Sequence, residues 1–229
     1  MCIRDRVYIA DTNNGEVVKV SADGSTVSIY ATTGGTIQSV TVDYTTNYVY
    51  ATDTAGTSDR IIQITGNSTY IAPYGNTPTP GYNNPYGIAC DPLANDGNNT
   101  IVYVADTGNN LIRRIAANGT VTNYGTSGGY TYSKPQNLAV DTTTHYVYVA
   151  DSGNNRIVVI TYDGSTSGGT CYTYGTISSP LSITIDSTSA TIFVWAKDNE
   201  FISEGNKYPS GQPTRQPSSQ PSLQVTFKY

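Results

Sequence analysis

Charge and histidine are what this sequence has least of. Only 13% of its 229 residues are charged, and the formal net charge is −5. No run of Lys or Arg occurs, so the chain lacks the basic footprint that draws nucleic acid. No apolar run reaches the length of a membrane-spanning helix. Cys2, Cys90 and Cys171 stand far apart with no C-x-x-C spacing, which argues against a zinc site. Cys90 and Cys171 read as two buried free thiols rather than a disulfide. His145 is the sole histidine, too little for a multi-histidine metal centre or a His-based triad. Glutamate is confined to Glu16, Glu200 and Glu204. No GxSxG, GxGxxG or P-loop occurs, and Gly128-Gly129 and Gly168-Gly169 read as loops. Residues 95–99 (NDGNN) hint at a calcium loop, but no glutamate follows at EF-hand spacing. Neither a metal nor a cofactor is expected, and the chain reads as a non-enzyme.

What is present points to strands. Tyrosine numbers 20 against 3 Phe and 1 Trp. Tyr, Thr, Val and Ile fit pleated sheets, while Gly and Asn fit the turns between them. The fold class is therefore all-β. Internal repeats fix the architecture. VYIAD ends at Asp11, VYATD at Asp53, and VYVAD at Asp106 and again at Asp151, in steps of 42, 53 and 45 residues. A period in the forties suits a four-stranded propeller blade. The longest step contains a polar insertion at 91–100.

Two further markers keep phase. Thirteen residues after each Asp stands a glycine: Gly24, Gly66, Gly119 and Gly164. Three of them complete Asp-Gly or Asn-Gly pairs, which predict hairpins with positive φ at both turn residues. Another Asp ends an earlier apolar run in each unit: Asp43, Asp91, Asp141 and Asp186. The predicted blades span about 7–32, 37–76, 85–126, 135–176 and 180–205, with the Asp43-type strand innermost. Within VYVAD, Val102 and Val104 share one face and Tyr103 and Ala105 the other. Both faces are apolar, as stacked blades require.

The stretches DTGNNLIR from Asp106 and DSGNNRI from Asp151, with the entry PQNLAVD ending at Asp141, resemble NHL repeats. The resemblance spans roughly 7–202. It implies a β-propeller, usually of six blades, so that about four to five are present and sequence before the first is expected to be lacking. The first two repeats depart, with TNNGEVV after Asp11 and TAGTSDRII after Asp53. In the fifth, Ala196 stands where the Asp belongs. Some six-bladed propellers are enzymes, including lyases with histidine-liganded zinc, and those ligands are not in this chain.

Both ends read differently from the blades. Residues 1–6 (MCIRDR) fit neither a signal peptide nor a strand and read as a non-native leader. Residues 206–229 carry Pro at 209, 213, 217 and 221, which bars a sheet or helix interior. This Pro/Ser/Gln segment reads as a disordered, extended linker to further domains, and it resembles repeats of algal and protist surface proteins.

The repeating Asp residues 11, 53, 106 and 151 could ring a metal with carboxylates. Their once-per-blade phase instead fits acceptors for turn amides. Arg60, Arg113 and Arg156 are placed to pair with them as exposed ion pairs worth about 0–1 kcal/mol each. Sequons at Asn67, Asn98 and Asn118 fall in expected turns and agree with a glycosylated, extracellular or cell-surface setting. Together these features describe a scaffold that binds a protein or carbohydrate partner through loops, chiefly 76–84 and 91–100. Tyr74, Tyr82 and Tyr86 are the candidate anchors. The competing reading is a lactonase-, lyase- or hydrolase-like propeller whose catalytic residues lie in other blades.

Overall fold

The computed structural model describes residues 2–3, 6–54, 59–65, 71–75, 81–94, 100–197 and 201–204. Gly66, Asn67, Asn98, most of the two long loops (76–80 and 95–99) and the Pro/Ser/Gln tail lie outside these residues.

Short apolar strands separated by Gly- and Asn-rich turns pair with their sequence neighbours, because tight turns allow only antiparallel partners. Among the described residues this gives five sheets. The first holds β1 (Cys2–Ile3), β2 (Arg6–Asp11), β3 (Glu16–Ser21) and β4 (Val27–Thr32). The second holds β5 (Ile37–Asp43), β6 (Tyr48–Asp53), β7 (Arg60–Ile64) and β8 (Ile71–Pro73). The third holds β9 (Pro85–Asp91), β10 (Ile101–Asp106), β11 (Leu111–Ile115) and β12 (Val121–Tyr124). The fourth holds β13 (Pro135–Asp141), β14 (Tyr146–Asp151), β15 (Arg156–Ile160) and β16 (Cys171–Thr176). The fifth holds β17 (Pro180–Asp186), β18 (Thr191–Ala196) and β19 (Phe201–Glu204).

Strands β5, β9, β13 and β17 lie side by side and form the inner wall. This is the blade arrangement of a β-propeller. In the second, third and fourth blades the second strand serves two interfaces, as its alternation predicts. Val102 and Val104 join a cluster with Tyr50 and Ile61 of the preceding blade. Tyr103 and Ala105 join Leu138, Val147 and Val149 of the following blade. The tyrosine of that strand also stacks on a tyrosine of the blade's outer edge. Tyr8 meets Tyr30, Tyr50 meets Tyr74, and Tyr103 meets Tyr124, at ring separations of 5.0, 4.8 and 4.8 Å. Much of the tyrosine content is thus a repeated core device.

Three local expectations change. Cys2 and Ile3 pair with Val7 and Arg6, so the supposed leader carries a short strand and β2 begins at Arg6. A strand of two residues is too short for an alternation to be read. At the hairpins, Gly24, Gly119 and Gly164 take positive φ, but Asp23, Asn118 and Asp163 do not. The amides of Ser25, Thr120 and Ser165 bond those side chains two residues on, so these are Asx turns closed by a left-handed glycine. Finally, Cys90 is buried and Cys171 only half-buried, and both are free thiols.

Candidate functional site

The repeated carboxylates occupy the two ends of the blades, and both sets are engaged. At one end, Asp106 binds two side chains of its own blade and an amide of the loop before it. Asn109 Nδ2 and Arg113 Nε each donate to Oδ2 at 2.9 Å, and the Asn83 amide donates to Oδ1 at 2.9 Å. Asp151 repeats the set with Asn154, Arg156 and the Ser133 amide at 2.9, 2.7 and 2.7 Å. Asn110 and Asn155 close the D-x-G-N-N turns in the left-handed region that asparagine tolerates. In the first blade Gly15 takes that place with φ 64°, and Asn14 still bonds Asp11. TNNG therefore keeps the frame while changing the letters. Asp53 receives Arg60 through Nε and Nη2.

These ion pairs differ from the exposed ones expected. Asp53, Asp106 and Asp151 are fully buried, and Arg113 is nearly so. A buried carboxylate without its cation is costly, so the pairs are structural requirements of the second, third and fourth blades.

At the other end, the inner-strand carboxylates link blade to blade. Asp43 accepts the Thr45 amide and hydroxyl at 2.7 and 2.6 Å, the Thr46 hydroxyl, and Thr100 from the third blade. Burial alone would raise its pKa, but these bonds outweigh it and hold the carboxyl below the usual range. Asp91 lies 2.7 Å from Nδ1 of His145 in the fourth blade. Its pKa is raised by burial, with His145 and the Leu93 amide pulling the other way. Thr100 and His145 hold equivalent places, each just before a second strand. At the next such place stands Ala190, and Ser187 links the blades instead, accepting the Thr142 amide on its hydroxyl. Cys90 is equally committed: burial pushes its thiol up to about 12, and Thr41 donates to its sulfur at 3.4 Å. It is not a poised nucleophile.

One position in each of the second to fifth blades takes no part in these carboxylate links. Each inner strand enters through a β-bulge, with register shifts at Ile37/Ser39, Val104/Asp106, Pro135/Asn137 and Pro180/Ser182. The bulges leave Gln38, Tyr86, Gln136 and Leu181 at equivalent positions. Bulges re-aim side chains and recur beside functional sites. Tyr86 and Leu181 are exposed, and the two glutamines are half-buried. Tyr86 is held from both sides. Thr52 Oγ1 donates to its carbonyl at 2.9 Å across the blade boundary. Next to it, a Cβ on Gly87 would fall 2.6 Å from Asn137 Cα, so glycine lets β9 press directly on β13 and brings Tyr86 beside Gln136.

The candidate anchors therefore separate. Tyr86 sits on this entry ring. Tyr74 is buried against Tyr50 and belongs to the blade core, because the outer-edge tyrosine is needed for stacking. Tyr82 is half-buried, with a hydroxyl that makes no hydrogen bond among the described residues. The glutamines and Leu181 were not singled out from sequence, where only their fixed place after each strand entry could have marked them. Asn118 is exposed at its hairpin.

No protein-family model matches the chain, and no curated protein does. Solved structures do. A chain of a nidogen/laminin complex superposes with a TM-score of 0.73 at 18% identity, over 89% of this chain and 73% of that one. A gluconolactonase from Xanthomonas campestris gives 0.65 at 11%, over 86% and 68%. A streptogramin B lyase gives 0.62 at 15%, over 91% and 67%. These likenesses establish the class, a β-propeller. They include a protein of a binding complex and two enzymes, so they do not choose between those roles. The narrower NHL assignment rests on the repeat motifs alone.

Proposed function

We propose that this chain is a non-catalytic propeller module that binds a protein or glycan partner at the inner-strand entry ring and the loops beside it. The supporting observation is the division of labour among side chains. The blade carboxylates, Cys90 and His145 are spent on turns and blade-to-blade links. The ring instead offers a phenol, two amides and an alkyl chain. Such neutral groups supply stacking, apolar contact and directed hydrogen bonds, which is recognition chemistry rather than proton transfer. Loop 76–84 leads directly to Tyr86. Its end is pinned by the third blade: Asn109 donates to the Gly81 carbonyl, and the Gly108 amide to that of Asn83. The repeat Asp thus helps present a loop as well as closing a turn. An extracellular or cell-surface setting, with glycans on Asn67, Asn98 and Asn118, completes the reading.

The test is a screen of the 229-residue chain against a glycan array and a panel of secreted proteins. Binding that falls at least about tenfold in Tyr86→Ala, with an unchanged thermal midpoint, supports the placement. Binding indifferent to Tyr86→Ala and to deletion of 77–84 overturns it.

A further inference from the structure

The second blade breaks the repeated framework at two places, and both bear on the strand entry that carries Tyr86. From the third blade onward each inner strand is entered through a residue in the left-handed region: Asn84, Lys134 and Ser179, with φ 50°, 46° and 45°. None is glycine, so the conformation costs free energy and persists only where its surroundings hold it. The holding group belongs to the preceding blade, at the residue just before its third strand. Asn110 Oδ1 accepts the Lys134 amide at 2.7 Å, and Asn155 Oδ1 accepts the Ser179 amide at 2.9 Å. In the second blade that place falls to Asp59, whose Oδ2 accepts the Asn84 amide. A carboxylate is the stronger acceptor, so the entry to β9 is held more firmly than the other two.

The second exception stands one residue before the repeat Asp. Ala105 and Ala150 hold that place in the third and fourth blades, and Thr52 holds it in the second. Thr52 is fully buried, and its hydroxyl works as a relay. It accepts the Ser39 amide at 3.1 Å and donates to the Tyr86 carbonyl at 2.9 Å. Alanine can do neither. Strand β9 lies between β5 and β13, so Tyr86 has a blade on each side, and it is still 41% exposed.

The ring neighbours of Tyr86 are both amides. Gln38 donates one Nε2 hydrogen to Thr54 at 3.4 Å and keeps Oε1 as an acceptor. Gln136 lies on the other side, where Gly87 lets the two strands touch. A phenol face between two carboxamides complements a pyranose. The C–H face of the sugar lies on the aromatic ring, and its neighbouring hydroxyls pair with the N–H and C=O of an amide. A protein partner needs more, about 800 Å² on each side around an apolar core.

On the reading of the entry ring as the binding surface, we propose that its ligand is a saccharide. One pyranose stacks on Tyr86 and hydrogen-bonds Gln136 and Gln38, and Thr52 and Asp59 are the positioning residues that fix the phenol for it.

Isothermal titration of the full chain with hexasaccharides of glucose, mannose, galactose and xylose tests this. At least one series should bind. Tyr86→Ala should weaken it at least about tenfold, and Tyr86→Phe should retain it, because stacking needs the ring and not the hydroxyl. Thr52→Ala should weaken binding roughly two- to tenfold, and Thr52→Ser should restore it. Asp59→Asn should bind like wild type, since asparagine does the same work at 110 and 155. Proton NMR of the bound sugar should show its ring C–H signals moved upfield by the phenol in wild type and Thr52→Ser, and less so in Thr52→Ala at an unchanged thermal midpoint. Equal upfield shifts in folded Thr52→Ala overturn the positioning role. Failure of all four series to bind overturns the saccharide assignment, and a secreted protein whose binding is lost in Tyr86→Ala would then leave the entry-ring reading standing without it. A saccharide that binds folded Tyr86→Ala as tightly as wild type overturns both.

Discussion

In the second to fourth blades one aspartate is held by an arginine, and the inner-strand aspartate at the other end by amide, hydroxyl or imidazole groups. Asp106 is buried with Arg113, whose side chain is 3% exposed, whereas Arg60 beside Asp53 is 38% exposed. Arg113→Ala leaves an uncompensated buried charge and is expected to cost about 3–5 kcal/mol in urea unfolding. Arg60→Ala should cost less, because water reaches that site. Asp43 gives a pH signature. Its folded pKa lies below the ordinary 3.8, so its stabilisation is complete at neutral pH and is lost as pH falls through the folded value. The thermal midpoint should drop as pH falls below the ordinary carboxylate value of 3.8, and Asp43→Asn should flatten that drop. Asp91, with a raised pKa, opposes this trend: its ionisation costs stability as pH rises past its ordinary value. The pairing of Asp with Arg was legible from spacing. Its burial was not, because exposure depends on the neighbouring strands and not on the motif.

At the level of strands, periodicity was enough to place most of the sheets. Strand β5 ends at Asp43, the inner-strand carboxylate that the repeat marks, and Arg60 opens β7 opposite Asp53. Alternation of Val and Tyr carries that information directly, since each face must meet an apolar neighbour. Bulges do not show in such a pattern. Pro135-Gln136-Asn137 reads as plain strand entry, yet it skips a pairing position and frees Gln136. Turn type was likewise beyond the dipeptide: Asn118-Gly119 marked a hairpin, while the backbone of Asn118 followed the Thr120 bond its side chain accepts. Gly87 tests how far the entry ring depends on close strands. Gly87→Ala puts a methyl group against the Asn137 backbone, and separating β9 from β13 should cost about 1–3 kcal/mol by urea unfolding. Binding at Tyr86 should weaken in parallel.

Across the whole molecule, neighbour-only contacts make stability a sum over blades and their interfaces. The second strand is the shared wall, so its tyrosines and valines hold adjacent clusters together. The framework repeats from blade to blade, and the ring residues do not. Phenol, amide and alkyl groups follow one another around the inner wall at a single register position. We propose that recognition is concentrated there, away from the carboxylates. The most direct measurement is a set of binding isotherms for the strongest array ligand with wild type, Tyr86→Ala and Asp186→Asn. The predicted result is affinity lowered at least about tenfold by Tyr86→Ala and unchanged by Asp186→Asn, with both variants folded. Affinity lost with Asp186→Asn and retained with Tyr86→Ala would contradict it.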